Sequence, residues 1–172
     1  MNRREVFKFL AALSLGLIVP FRGSAFAKDL KIEHPIKDPP EYTKNKKCEN
    51  CGMDRNKWAR TRYAFQNSKG KFYTCSIHCV AVLSMKLEKK PENVKAALYL
   101  NPEKMLDADK AFYVLGSAAP GTMTGTSKLA FASMEEAYIF TTQYGGKMTG
   151  IKEVLSEASE EVRNRRPVKK HM

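Results

Sequence analysis

The sequence has little of what catalysis uses. It contains three histidines, two of them near the chain ends at His34 and His171, and no serine–histidine pairing, no phosphate-binding loop and no patterned set of carboxylates. Without a placed acid, base or nucleophile, a non-enzymatic role is expected. Long apolar runs are also missing. The longest, Phe9–Phe21, is broken by Ser14, Gly16 and Pro20 and falls well short of the about 20 residues that span a bilayer. Cysteine is confined to one stretch: four residues between Cys48 and Cys79, none before and none after. With no cysteine in the amino-terminal region a lipoprotein anchor is not expected, and the carboxy-terminal half has to fold without disulfides or thiolate ligands.

What stands at the amino terminus is a signal peptide in three parts. Arg3, Arg4 and Lys8 precede the short apolar run, and Ala25-Phe26-Ala27 supplies small residues for cleavage. The arginine pair lies just ahead of apolar residues and a lysine, as in twin-arginine export signals, so a periplasmic protein starting near Lys28 is expected. Loss of Arg3, Arg4, Lys8 and Arg22 together with Glu5 lowers the formal charge from +12 to +9. Export argues against nucleic acid as the reason for that charge. It favours solubility, an acidic partner, or peripheral contact with lipid head groups.

Beyond residues 1–27, residues 28–47 read as a flexible linker, rich in Lys and Pro and almost free of apolar periodicity. Residues 48–102 form a first unit. Alternation from Ala59 to Phe65 predicts a strand with Arg60 and Arg62 on its outer face, Ser68-Lys69-Gly70 a turn, and Lys71–Cys75 the return strand. Apolar residues at Ile77, Val80, Ala81, Leu83 and Leu87 predict a helix over 76–90, and 93–100 reads as a further strand. Residues 105–155 form a second unit with strands at 111–115, 129–131 and 147–149. In it a glycine-rich loop runs from Pro120 to Gly125, and a helix opens with the capping box Ser133/Glu136 and closes at Gly145. Residues 156–172 continue a charged helix into a basic tail. The expected class is α+β: two small mixed alpha/beta units packed together, because neither is large enough to bury a sufficient core alone.

The chemistry is concentrated in Cys48-x2-Cys51 and Cys75-x3-Cys79, with Met53 and His78 inside the same motifs. The hairpin returns the chain to its start, so the two pairs are expected to meet in a treble-clef-like arrangement, with Cys75, His78 and Cys79 sharing a helix face. Four readings compete. Paired cysteines outside the cytoplasm form disulfides by default. Four thiolates, or three with His78, make a closed zinc tetrahedron in an interaction module. A thiol–disulfide oxidoreductase needs CxxC at the start of a helix, but Gly52 follows directly. Cu(I) suits the set best, since thiolate and thioether are both soft ligands and Met53 adds nothing for zinc. Met85, Met105 and Met134 are expected to fill core gaps, whereas Met123, between Gly121 and Gly125, has little core to fill and is a candidate ligand.

The run Ala111-Phe112-Tyr113-Val114-Leu115-Gly116-Ser117, the Gly121-x-Met123 element, Ala130-Phe131, Glu136-Ala137, Tyr144-Gly145-Gly146 and Ile151–Val154 resemble the second half of the NosL family of nitrous oxide reductase accessory proteins. Cys51-x-Met53 is similar to that family's amino-terminal cysteine–methionine motif. The resemblance implies a Cu(I) site built from cysteine and methionine sulfur with histidine help. It also implies delivery of copper toward nitrous oxide reductase through a copper-accepting protein or membrane transporter assembly. Two departures stand out: no cysteine lies at the cleavage site, and Cys48, Cys75 and Cys79 add thiols that many members lack.

Overall fold

The computed structural model describes residues 45–165, all within one compact unit. The signal peptide, most of the linker, His34, His171 and the basic tail lie outside the described residues. Two antiparallel sheets organise the chain. The first has strand order β2-β1-β3-β4, with β1 at Tyr63–Asn67, β2 at Gly70–Thr74, β3 at Glu92–Ala97 and β4 at Met105–Asp107. The second has order β6-β5-β7, with β5 at Phe112–Leu115, β6 at Lys128–Phe131 and β7 at Lys147–Thr149. Among the described residues three α-helices complete the fold: α1 at Ile77–Leu87, α2 at Met134–Tyr144 and α3 at Ile151–Arg165. The class is therefore α+β, as the element pattern predicts. None of the described helices is long and apolar enough to cross a membrane.

Local chemistry sets the element ends. Asn67 pairs with Gly70, leaving a two-residue hairpin loop in which Asn67 Oδ1 accepts from Lys69 N at 2.8 Å. Helix α1 stops at Glu88, which turns left-handed at φ 52 and donates its N–H to Met85 O, so the helix ends before Pro91 is reached. At α2, Ser133 Oγ accepts from Glu136 N at 3.1 Å while Glu136 Oε2 reaches back to Ala132 N at 3.0 Å. This is the expected capping box with its return bond displaced by one residue.

Both sheets share one core. Tyr63, Phe65, Ile77, Val80 and Ala96 from the first half pack with Tyr113, Ala130, Val154, Ala158 and Val162 from the second. The α3 residues Val154, Ala158 and Val162 recur every four positions, which gives that helix a single apolar face to lay on the core. Tyr99 N donates to Ala130 O at 2.7 Å, so the chain beyond β3 is bonded directly to the second sheet.

Three readings of the sequence differ from this fold. Ala59–Thr61 is a 3-10 turn rather than strand, and Arg62 is fully buried rather than outward. Its guanidinium reaches Pro102 O at 2.8 Å and Asn56 Oδ1 at 3.4 Å, partners that alternation cannot reveal. Burial pushes its pKa down to about 10. Residues 105–107, which the sequence reading puts at the start of the second unit with no strand assigned, form β4 and pair with β3 in the first sheet through Ala96↔Leu106. Met134 is exposed rather than packed, because it shares the outer face of α2 with exposed Tyr138, four residues on.

Candidate metal centre

The first cysteine pair sits on a tight turn. Cys48 N donates to Met53 O and Gly52 N to Cys48 O, both at 2.8 Å, and Lys47 bridges Asp54 across the turn's base. Gly52 adopts φ 74, a left-handed conformation that a side chain there would strain. The second pair straddles a strand-to-helix junction. Cys75 follows β2 directly, Ser76 is the N-cap, and Cys79 lies in the first turn of α1. That end of a helix carries partial positive charge, which favours thiolate over thiol.

Arg55 brings the two pairs together. Fully buried, it donates from Nη1 to Asn45 O at 2.7 Å and from Nε to Thr74 O at 3.2 Å, and it lies 5.3 Å over the Tyr73 ring. One guanidinium thus ties the segment before Cys48 to the residue before Cys75. Glu49 adds two bonds to the same strand, from its N–H to Tyr73 O and from Tyr73 N–H to its carboxylate, at 3.1 and 2.9 Å.

The sulfurs of Cys48, Cys51, Cys75 and Cys79 all lie within 4.8 Å of one another. Cys51 to Cys75 is 3.5 Å, Cys75 to Cys79 is 3.7 Å and Cys79 to Cys51 is 3.8 Å. A tetrahedron of sulfurs about 2.3 Å from a central ion has edges of about 3.8 Å. All four cysteines are free, and only Cys51 is exposed. Met53 is half-buried and packs against the buried three, in a cluster separate from the main core.

The thiols share protons. The hydrogen bond from Cys75, then that from Cys79, holds Cys48 well below the usual thiol range. The same bonds act in reverse on the donors: Cys75 is raised, first by its bond to Cys48, and Cys79 is pushed up to about 12, again first by Cys48. The arrangement favours one thiolate held by neighbouring thiols and resists a second negative charge. A cation relieves that resistance by replacing the remaining protons.

Two other candidate ligands are placed differently. His78 is buried, but among the described residues the close group of potential ligands comprises only the four cysteines. Cys75 precedes the helix, and adjacent helical residues point about 100° apart, so His78 projects about 100° round α1 from Cys79. Met123 is 39% exposed and adopts φ 59, a left-handed conformation uncommon outside glycine. Its neighbour Thr122 is buried and accepts from Thr61 Oγ1 at 2.6 Å, and the same Thr61 hydroxyl lies 3.0 Å from Cys75 O. That shared hydroxyl docks the Met123 loop beside the backbone of the cysteine centre. At Gly121 an added Cβ would fall 2.5 Å from Thr124 Cγ2 and 3.0 Å from Ser127 Cα, so the loop closes only with glycine there. Spacing exposes the four cysteines, but Arg55, Glu49 and the Thr61–Thr122 contact carry no sequence signal, because their partners lie far along the chain.

A four-thiol centre on a strand-and-turn knuckle, backed by a second small sheet, defines a class of thiolate metal-handling proteins on an α+β fold. Within that class the chain belongs to the NosL family, whose pattern matches residues 39–159. NosL is not an enzyme family. The fold is that of the copper chaperone NosL from Shewanella denitrificans, whose crystal structure aligns with a TM-score of 0.53 at 22% identity, over 69% of this chain and 96% of that one. No curated protein sequence matches the chain.

Proposed function

We propose that this protein is an exported carrier of Cu(I), which it holds in the cysteine centre and delivers to an acceptor protein such as nitrous oxide reductase or its membrane transporter assembly. The observation that carries this reading is four sulfurs within 4.8 Å of one another, of which only that of Cys51 belongs to a residue that is not buried. Sulfur donors select Cu(I) by softness, and a centre open at one sulfur can pass its ion on. Met53 packed against the centre would supply a neutral thioether, and Met123, on the loop docked through Thr122 to Thr61, is the candidate for a second. The Shewanella relative, a copper chaperone, agrees with this.

One observation favours a second reading. The sulfur separations of 3.5–3.8 Å match a closed tetrahedral thiolate site, the geometry of structural zinc. Competition titrations of reduced protein against Cu(I) and Zn(II) chelators, with circular dichroism on the same samples, separate the two. The carrier reading expects a strong preference for Cu(I), with Met53→Ala folded and weaker in copper binding. Zinc preference with metal-dependent folding, or wild-type copper affinity in Met53→Ala, would move the assignment to a zinc-stapled interaction module.

The amino-terminal segment is part of the proposal. Arg3 and Arg4 ahead of a short apolar run and Ala25-Phe26-Ala27 support periplasmic delivery through the twin-arginine route. Conversion of both arginines to lysine should abolish export in a fractionation assay, and normal secretion of that variant leaves an ordinary secretory signal.

A further inference from the structure

The turn Cys48–Gly52 is fastened on two sides. Toward β2 it is held by the Glu49–Tyr73 bonds described above. Toward α1 the contact is Asn50: its Nδ2 donates to Cys79 Sγ at 3.4 Å, and its Oδ1 accepts from Lys86 Nζ at 3.0 Å. Lys86 lies two helical turns beyond Cys79, on the same face of α1, which is why its ammonium comes over the tip of the turn. An N–H donated to sulfur stabilises negative charge there without occupying a coordination position. A cation on the far end of the same amide polarises it and strengthens that donor.

We propose that Asn50 and Lys86 form a latch, resting on the soft-metal reading above. The two are positioning residues that keep the Cys51 turn closed over Cys75 and Cys79 and thereby set how fast the centre gives up its ion. Lys86 is exposed, so a carboxylate on an acidic acceptor can take its ammonium away from Asn50. Docking of the acceptor is in this way coupled to opening of the centre.

The test compares the full chain with Asn50→Ala and Lys86→Gln. In metal-free reduced protein, iodoacetamide alkylation of the buried thiols Cys48, Cys75 and Cys79, followed by peptide mass spectrometry, should speed up about five-fold, the factor one hydrogen bond of ordinary net strength supplies. Loss of positive charge acting only on the thiols would slow alkylation, since it disfavours thiolate, so the direction separates opening from electrostatics. Release of Cu(I) or Zn(II) into excess chelator should accelerate by a similar factor, and Lys86→Arg should restore both rates. Buried-thiol alkylation no faster than wild type in Asn50→Ala, or no restoration by Lys86→Arg, overturns the latch. A wild type that binds neither ion, with faster alkylation in the variants, upholds the latch and overturns the soft-metal reading.

Discussion

Arg55 shows how much of the centre depends on one side chain that coordinates nothing. Its two donated bonds end on carbonyls on either side of the cysteine cluster, and buried carbonyls left without donors are costly. Arg55→Met keeps most of the stem and removes the fork. It should destabilise the protein by about 2–3 kcal/mol, a fall in Tm of about 10 °C for a unit this size. Arg55→Lys should recover only part of the loss, since an ammonium lacks the fork that spans both carbonyls. An unchanged calorimetric Tm in Arg55→Met would show that the two carbonyls find other partners. The cysteines were legible in the sequence because thiols at short spacing are rare and chemically distinctive. Arg55 and Asn50 were not, because arginine and asparagine are ordinary surface residues until the fold delivers a distant backbone or sulfur to them.

Among the elements, the loop from Pro120 to Gly125 depends most on others for its shape. Glu161 on α3 accepts from Thr124 Oγ1 at 2.5 Å and from Thr126 N at 3.1 Å, and pairs with Lys128 Nζ at 3.1 Å, a side chain only 1% exposed. Burial alone would raise the Glu161 carboxyl, but the bonds from Thr124 and Lys128 outweigh it and the net shift is downward. A carboxyl lowered in the folded state stabilises it above its unfolded pKa, and that contribution is lost as pH falls through the folded value. Glu161→Gln should therefore be less stable than wild type at pH 7 by about 2 kcal/mol. The gap should close in acid, below the 4.5 expected of an unperturbed glutamate. Urea melts of both proteins across that range provide the check, and a gap independent of pH would assign the loss to packing. Helix α2 was readable from its capping box and closing glycine, which are local signals. The 3-10 turn before β1 was not, because its alternating residues mimic a strand until Arg62 is drawn inward.

Over the whole molecule, the α+β class followed from the switch between two-residue and helical periodicity along the chain, and the family from residues in the second half. Sheet membership of β4 did not follow, since a three-residue strand carries no record of which neighbour it pairs with. The separation of the cysteine cluster from the main core was equally hidden, because Cys48, Cys75 and Cys79 are as buried as any core residue. The uneven exposure of the four sulfurs also bears on direction. In the proposed carrier, with Cys51 alone of the four cysteines not buried, an incoming sulfur would meet the ion at Cys51, and a departing one would leave by the same face. Loading and unloading would then run through one mixed complex in opposite senses. By microscopic reversibility one doorway would serve both directions, so the net traffic would run toward whichever protein binds the ion more tightly, with the Asn50–Lys86 latch changing the rate and not the direction.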